Sequence, residues 1–296
     1  MLKISRLKVL AAKLYSGILR SDSHYAFAVR QHRETLLRRE LEEDPRLLTP
    51  YGWSGYSQND EDGIIQEIFR RIGTTTRRFV EFGAGDPLCN TGTYLLLSGW
   101  SGEWIEASGR ETESIRAQFR AWIESKHLTV TQTFITPENI NRLVTPSPVV
   151  DLLVIDIDGN DFHIWNALEA RPRVLMIEYN ATFRPPVALT QPYVKEPFWN
   201  GENFYGASLK AYENLATKKG YCLVGCNFAG TNAFFVRADL VADHFSGPYT
   251  AEHHFREQWI DGMSCGYARQ VRSAGPGIRY TYPIEEQEQD ESLRTA

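Results

Sequence analysis

The sequence predicts an α/β fold: a doubly wound, largely parallel sheet with helices on both faces, preceded by a helical extension. Three observations carry this. First, an apolar run at 79–82 leads into a turn with Gly83 and Gly85, a helical run at 94–97, a short strand at 103–105 and an acid, Glu106. Strand, glycine turn, helix, strand and acid in that order form the nucleotide-binding half of a doubly wound sheet. Second, residues 149–158 read VVDLLVIDID, and a run apolar on both faces marks a central parallel strand. Third, two strands at 221–225 and 233–237, joined by the polar loop 227–232, suit an antiparallel pair at the sheet edge.

The chain has 296 residues with 42% hydrophobic and 23% charged content. That is enough for a packed core in one large domain with appendages. The expected division is a helical extension at 1–50, the α/β domain at 51–240, and a helical segment with a polar tail at 241–296. A net charge of −5 argues against a nucleic-acid partner gripped by a basic face. Cys89, Cys222, Cys226 and Cys265 form no C-x-x-C pair and no zinc spacing, so reduced thiols and a cytoplasmic location are expected. No apolar run is long enough to span a bilayer, and Lys13 interrupts the apolar core a signal peptide would need.

In chain order, Ile4, Leu7, Leu10, Leu14 and Ile18 recur at helical spacing among many basic residues. They predict a basic amphipathic helix. It either rests on an anionic membrane or a partner protein, or packs on its own domain or a second subunit, as in a homodimer. Around 57–72, Ser57 to Asp60 can cap a helix with Glu61 and Asp62 in its first turn. Ile64, Ile65, Ile68 and Ile72 supply its apolar face.

At the glycine turn, Gly83 and Gly85 let the backbone pass close beneath a ligand. Asn90 and Thr91 in the same turn complete the candidate ligand contacts. Glu106 stands about 20 residues past Gly85, where such folds place the carboxylate for ribose hydroxyls. A dinucleotide fingerprint would need glycine at position 88, which is Leu88, and Pro87 disturbs the phosphate-cradling turn. The expected ligand is therefore an adenosine compound without phosphates. S-adenosylmethionine fits, and Glu81 on the preceding strand can hold its ammonium, directly or through water.

Further along, residues 111–125 read as one helix, 128–135 as a third strand, and Pro137 as the opening of a short helix. After the 149–158 strand come Asp156, Asp158, Gly159, Asn160 and Asp161, with a helix beginning near Phe162. The strand at 174–177 ends in Glu178, Tyr179 and Asn180. Ligands in open α/β sheets bind at the carboxyl ends of strands. Two carboxylates at one such end and Glu-x-Asn at the next suit a hard, oxygen-liganded cation such as Mg²⁺. Asp156, Asp158, Glu178 and Asn180 are its candidate ligands. The loop 181–205 holds four prolines and the aromatics Phe183, Tyr193, Phe198, Trp199, Phe204 and Tyr205. It reads as a lid or a sugar-stacking platform, or as rings that glue the loop to the core. A helix at 206–219 stops at Gly220. His253, His254 and Glu257 lie on a further helix without metal spacing, and the polar stretch 285–296 reads as disordered.

In Glu81-x-Gly83-x-Gly85 and Glu106, the chain resembles the class I S-adenosylmethionine-dependent methyltransferases. More narrowly it resembles their FkbM-type branch, over residues 56–237. The resemblance implies a Rossmann-like seven-stranded sheet of order 3-2-1-4-5-7-6 with the last strand antiparallel. Ser57, Gln58, Glu61, Asp62 and Gly63 match the branch's Ser-Gln-x-x-Glu-Asp-Gly run, which implies that Gln58 contacts the cofactor. Phe134 and Ile135 fall where class I enzymes pack adenine. The branch's acid-Gly-His-Glu run reads Asp158-Gly159-Asn160-Asp161 here, so the basic role of that His is open to Asp158, Asp161 or His163. Some class I O-methyltransferases hold a metal at these same strand ends, with Asp156 in this chain serving cofactor or metal.

The expected activity is O-methyl transfer to a hydroxyl of a small-molecule sugar or glycan precursor. Either a divalent cation or a side-chain base deprotonates the hydroxyl, or the acids are structural. Methyl transfer to a nitrogen or carboxylate, or a scaffold that keeps the fold, are the alternatives.

Overall fold

The computed structural model describes residues 23–195 and 205–258. Its helices are α1 (Ser23–Glu43), α2 (Glu61–Ile72), α3 (Gly92–Leu97), α4 (Gly109–Gln118), α5 (Arg120–Glu124), α6 (Ile140–Leu143), α7 (Asp161–Ala167), α8 (Leu209–Lys219) and α9 (Ala251–His254). Its strands are β1 (Arg78–Phe82), β2 (Ser101–Glu106), β3 (Leu128–Gln132), β4 (Leu152–Ile155), β5 (Val174–Glu178), β6 (Tyr221–Cys226) and β7 (Asn232–Arg237). They form one seven-stranded sheet of order β3-β2-β1-β4-β5-β7-β6. β7 runs antiparallel to both its neighbours, and the other pairs are parallel. This is the Rossmann-like doubly wound arrangement, with the last strand reversed.

Side chains alternate across the sheet and build two cores. Phe82, Ile155, Ile177 and Phe235 pack with Trp165 and Tyr212 on one face. Phe79, Val154, Met176 and Phe234 pack with Ile64, Ile68 and Trp104 on the other. Because both faces are covered, a polar side chain inside the central strands needs buried partners, as Glu81 in β1 has.

Several elements are shorter than the apolar patterns predict, each for a local reason. The run at 149–158 contracts to Leu152–Ile155. Asp151 before it is diverted to accept N–H bonds from Thr75, Thr76 and Arg77 and to pair with Arg173 at 3.2 Å. β3 stops at Gln132 rather than at Ile135. Beyond it, Asn139 closes a turn, donating to the Phe134 carbonyl and accepting from Thr136 N–H. The turn delays the helix expected at Pro137 until Ile140. The single helix expected at 111–125 is two, broken at Phe119, whose ring turns inward against Trp104 and Trp122. α8 starts three residues later than expected, where Ser208 caps it by accepting Ala211 N–H. It ends as expected at Gly220, in the left-handed region at φ 75°.

The basic amphipathic pattern at residues 4–18, Cys265 and the tail at 285–296 lie outside the described residues. α9 carries His253 and His254, while Glu257 falls beyond it and pairs with Arg184 at 2.6 Å. No helix among the described residues is long and apolar enough to cross a membrane.

Candidate functional site

The site is built on strand ends. Gly83, directly after β1, has φ 70°, and a Cβ there would overlap the carbonyl oxygen of Asp156 at the end of β4. Gly85 has φ 49°. Both therefore need glycine, Gly83 doubly so. Glu106 ends β2 and bridges the turn: one carboxylate oxygen accepts Gly85 N–H at 3.0 Å, the other Ser108 N–H at 2.7 Å. A carboxylate has about four acceptor positions, so this bridge leaves Glu106 further capacity to accept.

Glu81 is held by three N–H donors. Its Oε1 accepts Thr91 N–H at 3.0 Å, and its Oε2 accepts Gly92 N–H at 2.9 Å and the Trp104 indole N–H at 2.7 Å. The carboxylate closes the start of α3, which lacks a side-chain cap of its own. Burial pushes its carboxyl up to about 7 against the pull of those donors. Asn90 likewise turns inward, donating to the Ala84 carbonyl and accepting from Thr93 N–H.

The segment before α2 is tied down by its acids. Ser57 Oγ accepts Asp62 N–H, and Asp62 Oδ2 accepts the N–H groups of Gly55, Tyr56 and Ser57 at 2.8–3.0 Å. Glu61 is buried and accepts the side-chain amides of Asn227 at 2.7 Å, Asn232 at 2.8 Å and Asn59 at 3.3 Å. Gln58 is exposed. It lines a small cavity with Glu61, Glu81, Gly83, Thr91, Asp156 and Asn232, of about 40 Å³. That is far below the roughly 300–1,000 Å³ of a site enclosing a whole cofactor.

An acidic rim adjoins this cavity. Asp156 follows β4, Asp158 is exposed at φ 56°, and Glu178 closes β5; one oxygen of each lies within 4.8 Å of the others. Among the described residues this is the one such group of three or more metal-binding types. The register explains it: Ile155 pairs with Ile177, so Asp156 and Glu178 follow side by side.

The other sequence candidates serve this rim from behind. Asp161 is buried; its two oxygens accept Ile157 N–H at 3.0 Å and Gly159 N–H at 2.8 Å. It holds the turn that carries Asp158. Burial, with Glu178 adding, pushes its carboxyl up to about 7. His163 meets the Gln191 carbonyl through Nε2 at 2.8 Å and packs on Phe162 and Tyr193, and burial lowers its pKa. Asn180 uses Nδ2 on the Tyr205 carbonyl and Oδ1 on Thr182 N–H. It anchors the loop. Phe134 stands 56% exposed while Ile135 joins the core. Of the loop aromatics, Tyr193 is exposed and Tyr205 buried; Phe198, Trp199 and Phe204 lie outside the described residues.

Sequence reading missed Asn232. It sits at the start of β7 opposite Glu178, on the same face as Asp156. Position 232 reads only as the end of a polar loop until the antiparallel register is known.

Fold and site together define a Rossmann-like domain with a glycine bend facing an acidic rim. No protein-family model matches the chain, and no curated protein matches it. Solved structures with a similar fold include the glycopeptide N-methyltransferase MtfA complexed with S-adenosyl-L-homocysteine, 14% identical over 58% of this chain and 87% of that one, TM-score 0.36. The N-terminal domain of EvdMO1 with S-adenosyl-L-homocysteine bound is 12% identical, over 69% and 94%, TM-score 0.38. An O-methyltransferase family protein from Burkholderia thailandensis is 8% identical, over 58% and 55%, TM-score 0.38.

Proposed function

We propose that the chain is an S-adenosylmethionine-dependent O-methyltransferase of the FkbM type, acting on a hydroxyl of a sugar or glycan precursor. The observation that supports it most is the Glu106 bridge. It ties the Gly85 bend to the neighbouring strand end, beside the acidic rim. A donor's adenosine would lie along Glu106, with its amino-acid end at the Gly83 bend and its methyl toward Asp156 and Asp158. Alignment of acceptor and methyl supplies much of the acceleration in such a displacement.

The acceptor hydroxyl must lose a proton. Asp158, the exposed member of the rim, is the candidate base. Asp161 and His163 position it, the first by holding its turn and the second by holding the loop at Gln191. Three carboxylates with oxygens this close also fit a hard cation such as Mg²⁺. Asp156, Asp158 and Glu178 would hold it, and the ion would acidify the hydroxyl.

Calorimetry with S-adenosylmethionine and with NAD tests the cofactor. Tight NAD binding without response to S-adenosylmethionine would end the reading. Asp158→Asn should lower kcat by about 10²–10⁴, as for a lost general base, with cofactor affinity nearly unchanged. Turnover that survives chelation would remove the cation and leave Asp158 as base.

A further inference from the structure

The cavity beneath the glycine bend has an unusual lining. Glu61, Glu81 and Asp156 face it, no Lys, Arg or His lines it, and Asn232 closes it from β7. Asn232 is only 6% exposed, and its Oδ1 is a buried polar atom with no hydrogen-bond partner. Such atoms are rare because each forfeits its hydration without return.

The orientation of this amide follows from its network. Asn232 Nδ2 donates to Glu61 Oε1 at 2.8 Å. Exchanging N and O would set the amide oxygen against that carboxylate oxygen. The acceptor end must therefore be the end without a partner.

A group that fills this place has to be a donor, and the three carboxylates around it favour a positive one. The space of about 40 Å³ suits an ammonium and excludes a nucleoside. Glu81 and Glu61 already accept from N–H groups through both oxygens, whereas Asn232 Oδ1 accepts from none.

We propose that Asn232 Oδ1 receives the α-ammonium of the cofactor's amino-acid end, with Asp156 as its neighbouring counter-charge. This makes β7 part of the cofactor site and transfers to Asn232 the contact expected of Glu81. It rests on the methyl-donor reading and extends it. The cofactor would then enter amine first, the ammonium plugging the cavity while the adenosine stays outside along Glu106.

The test compares three ligands by calorimetry: S-adenosylhomocysteine, its analogue lacking the amine, and 5′-methylthioadenosine, which lacks the whole amino-acid end. In the wild-type protein, loss of the amine should weaken binding about 10- to 100-fold, the scale of a charged hydrogen bond. In Asn232→Leu that gap should close to within about threefold, with 5′-methylthioadenosine bound as in wild type, as expected when only the amine contact is lost. A wild-type protein indifferent to the amine would overturn the proposal and leave the cavity to water. So would a leucine variant that keeps the gap, or one that loses 5′-methylthioadenosine equally, which would make Asn232 structural. If neither nucleoside binds the wild type, the methyl-donor reading falls first. Should the leucine variant not fold, the wild-type comparison with the amine-free analogue decides alone.

Discussion

A glycine between two strand ends can do what no other residue can. At Gly83 a Cβ would have to occupy the space of the Asp156 carbonyl, in a backbone conformation at φ 70°. Gly83→Ala should therefore cost at least about 2 kcal/mol, since left-handed strain alone costs about 1–2. Gly85→Ala, whose Cβ would meet only the Gly83 carbonyl oxygen at an ordinary 3.7 Å, should cost less than Gly83→Ala in urea titrations. Two buried acids make a second prediction. Burial holds the carboxyls of Glu81 and Asp161 at about 7. Each keeps its proton to a higher pH in the folded chain than in the unfolded one. Between about pH 4 and 7 the native state thus binds more protons, and stability falls as pH rises through that window. Asp161→Asn should flatten this slope in thermal melts; an unchanged slope would mean that Asp161 does not titrate there. The glycines and acids were legible in the sequence as a pattern. What they touch was not, because Glu81, Asn90, Asp161 and Asn180 spend their polar atoms on backbone groups, and Glu81 also on the Trp104 indole, whose positions exist only after folding.

At the scale of elements, the order of strands and helices was readable because apolar runs buried on two faces have no other soluble home. Their ends were not, because ends are decided by polar side chains that compete for backbone groups, as Asp151 does at β4 and Asn139 after β3. The segment before α2 is the same competition put to use. Residues 57–60 read as ordinary helix capping with Asp62 in the first turn; the N-cap, Asp60, makes no side-chain cap bond, and Ser57 Oγ instead accepts Asp62 N–H. Asp62 also gathers the three N–H groups of residues 55–57, fixing the loop that presents Gln58. Asp62→Ala would leave those donors to solvent or unpaired. A loss of about 2–4 kcal/mol is expected, since hydrogen bonds to a charged group are worth about 1.5–3 kcal/mol each and some regain water. Hydrogen exchange should then rise at residues 55–57 and not in β1; a uniform rise would mean that Asp62 stabilises the whole domain rather than the loop. Asn232 was invisible at this scale for a different reason. Its partner across the sheet is Glu178, and antiparallel register over so long a separation leaves no local trace.

Across the whole molecule, charged groups on α1 tie it to the rest of the domain. Glu40 pairs with both terminal nitrogens of Arg256, and Arg33 reaches Asp60 at 3.4 Å while lying over the Phe228 ring. Asp60 is buried, also accepts Phe228 N–H, and stands next to Glu61, the hub that holds Asn227 and Asn232. The helix before the domain is thereby coupled to the hairpin that closes the candidate site. Burial and the neighbouring Glu61 raise the Asp60 carboxyl to about 6, with Arg33 opposing them. Removing Arg33 takes away the opposing charge, so the folded carboxyl should hold its proton to a still higher pH. Arg33→Met should accordingly be nearly neutral near pH 5, where Asp60 is largely protonated in either protein. Above about pH 7 it should lose about 1–3 kcal/mol, less than a fully buried pair because Arg33 is one-third exposed. The pH dependence separates this from lost packing on Phe228, which would lower stability equally at both pH values. If Asn232 holds the cofactor's ammonium, the same variant should weaken S-adenosylhomocysteine more at the higher pH, because the strain at Asp60 reaches Asn232 through Glu61. A variant whose stability falls with pH while its ligand affinity stays constant would confine the coupling to folding.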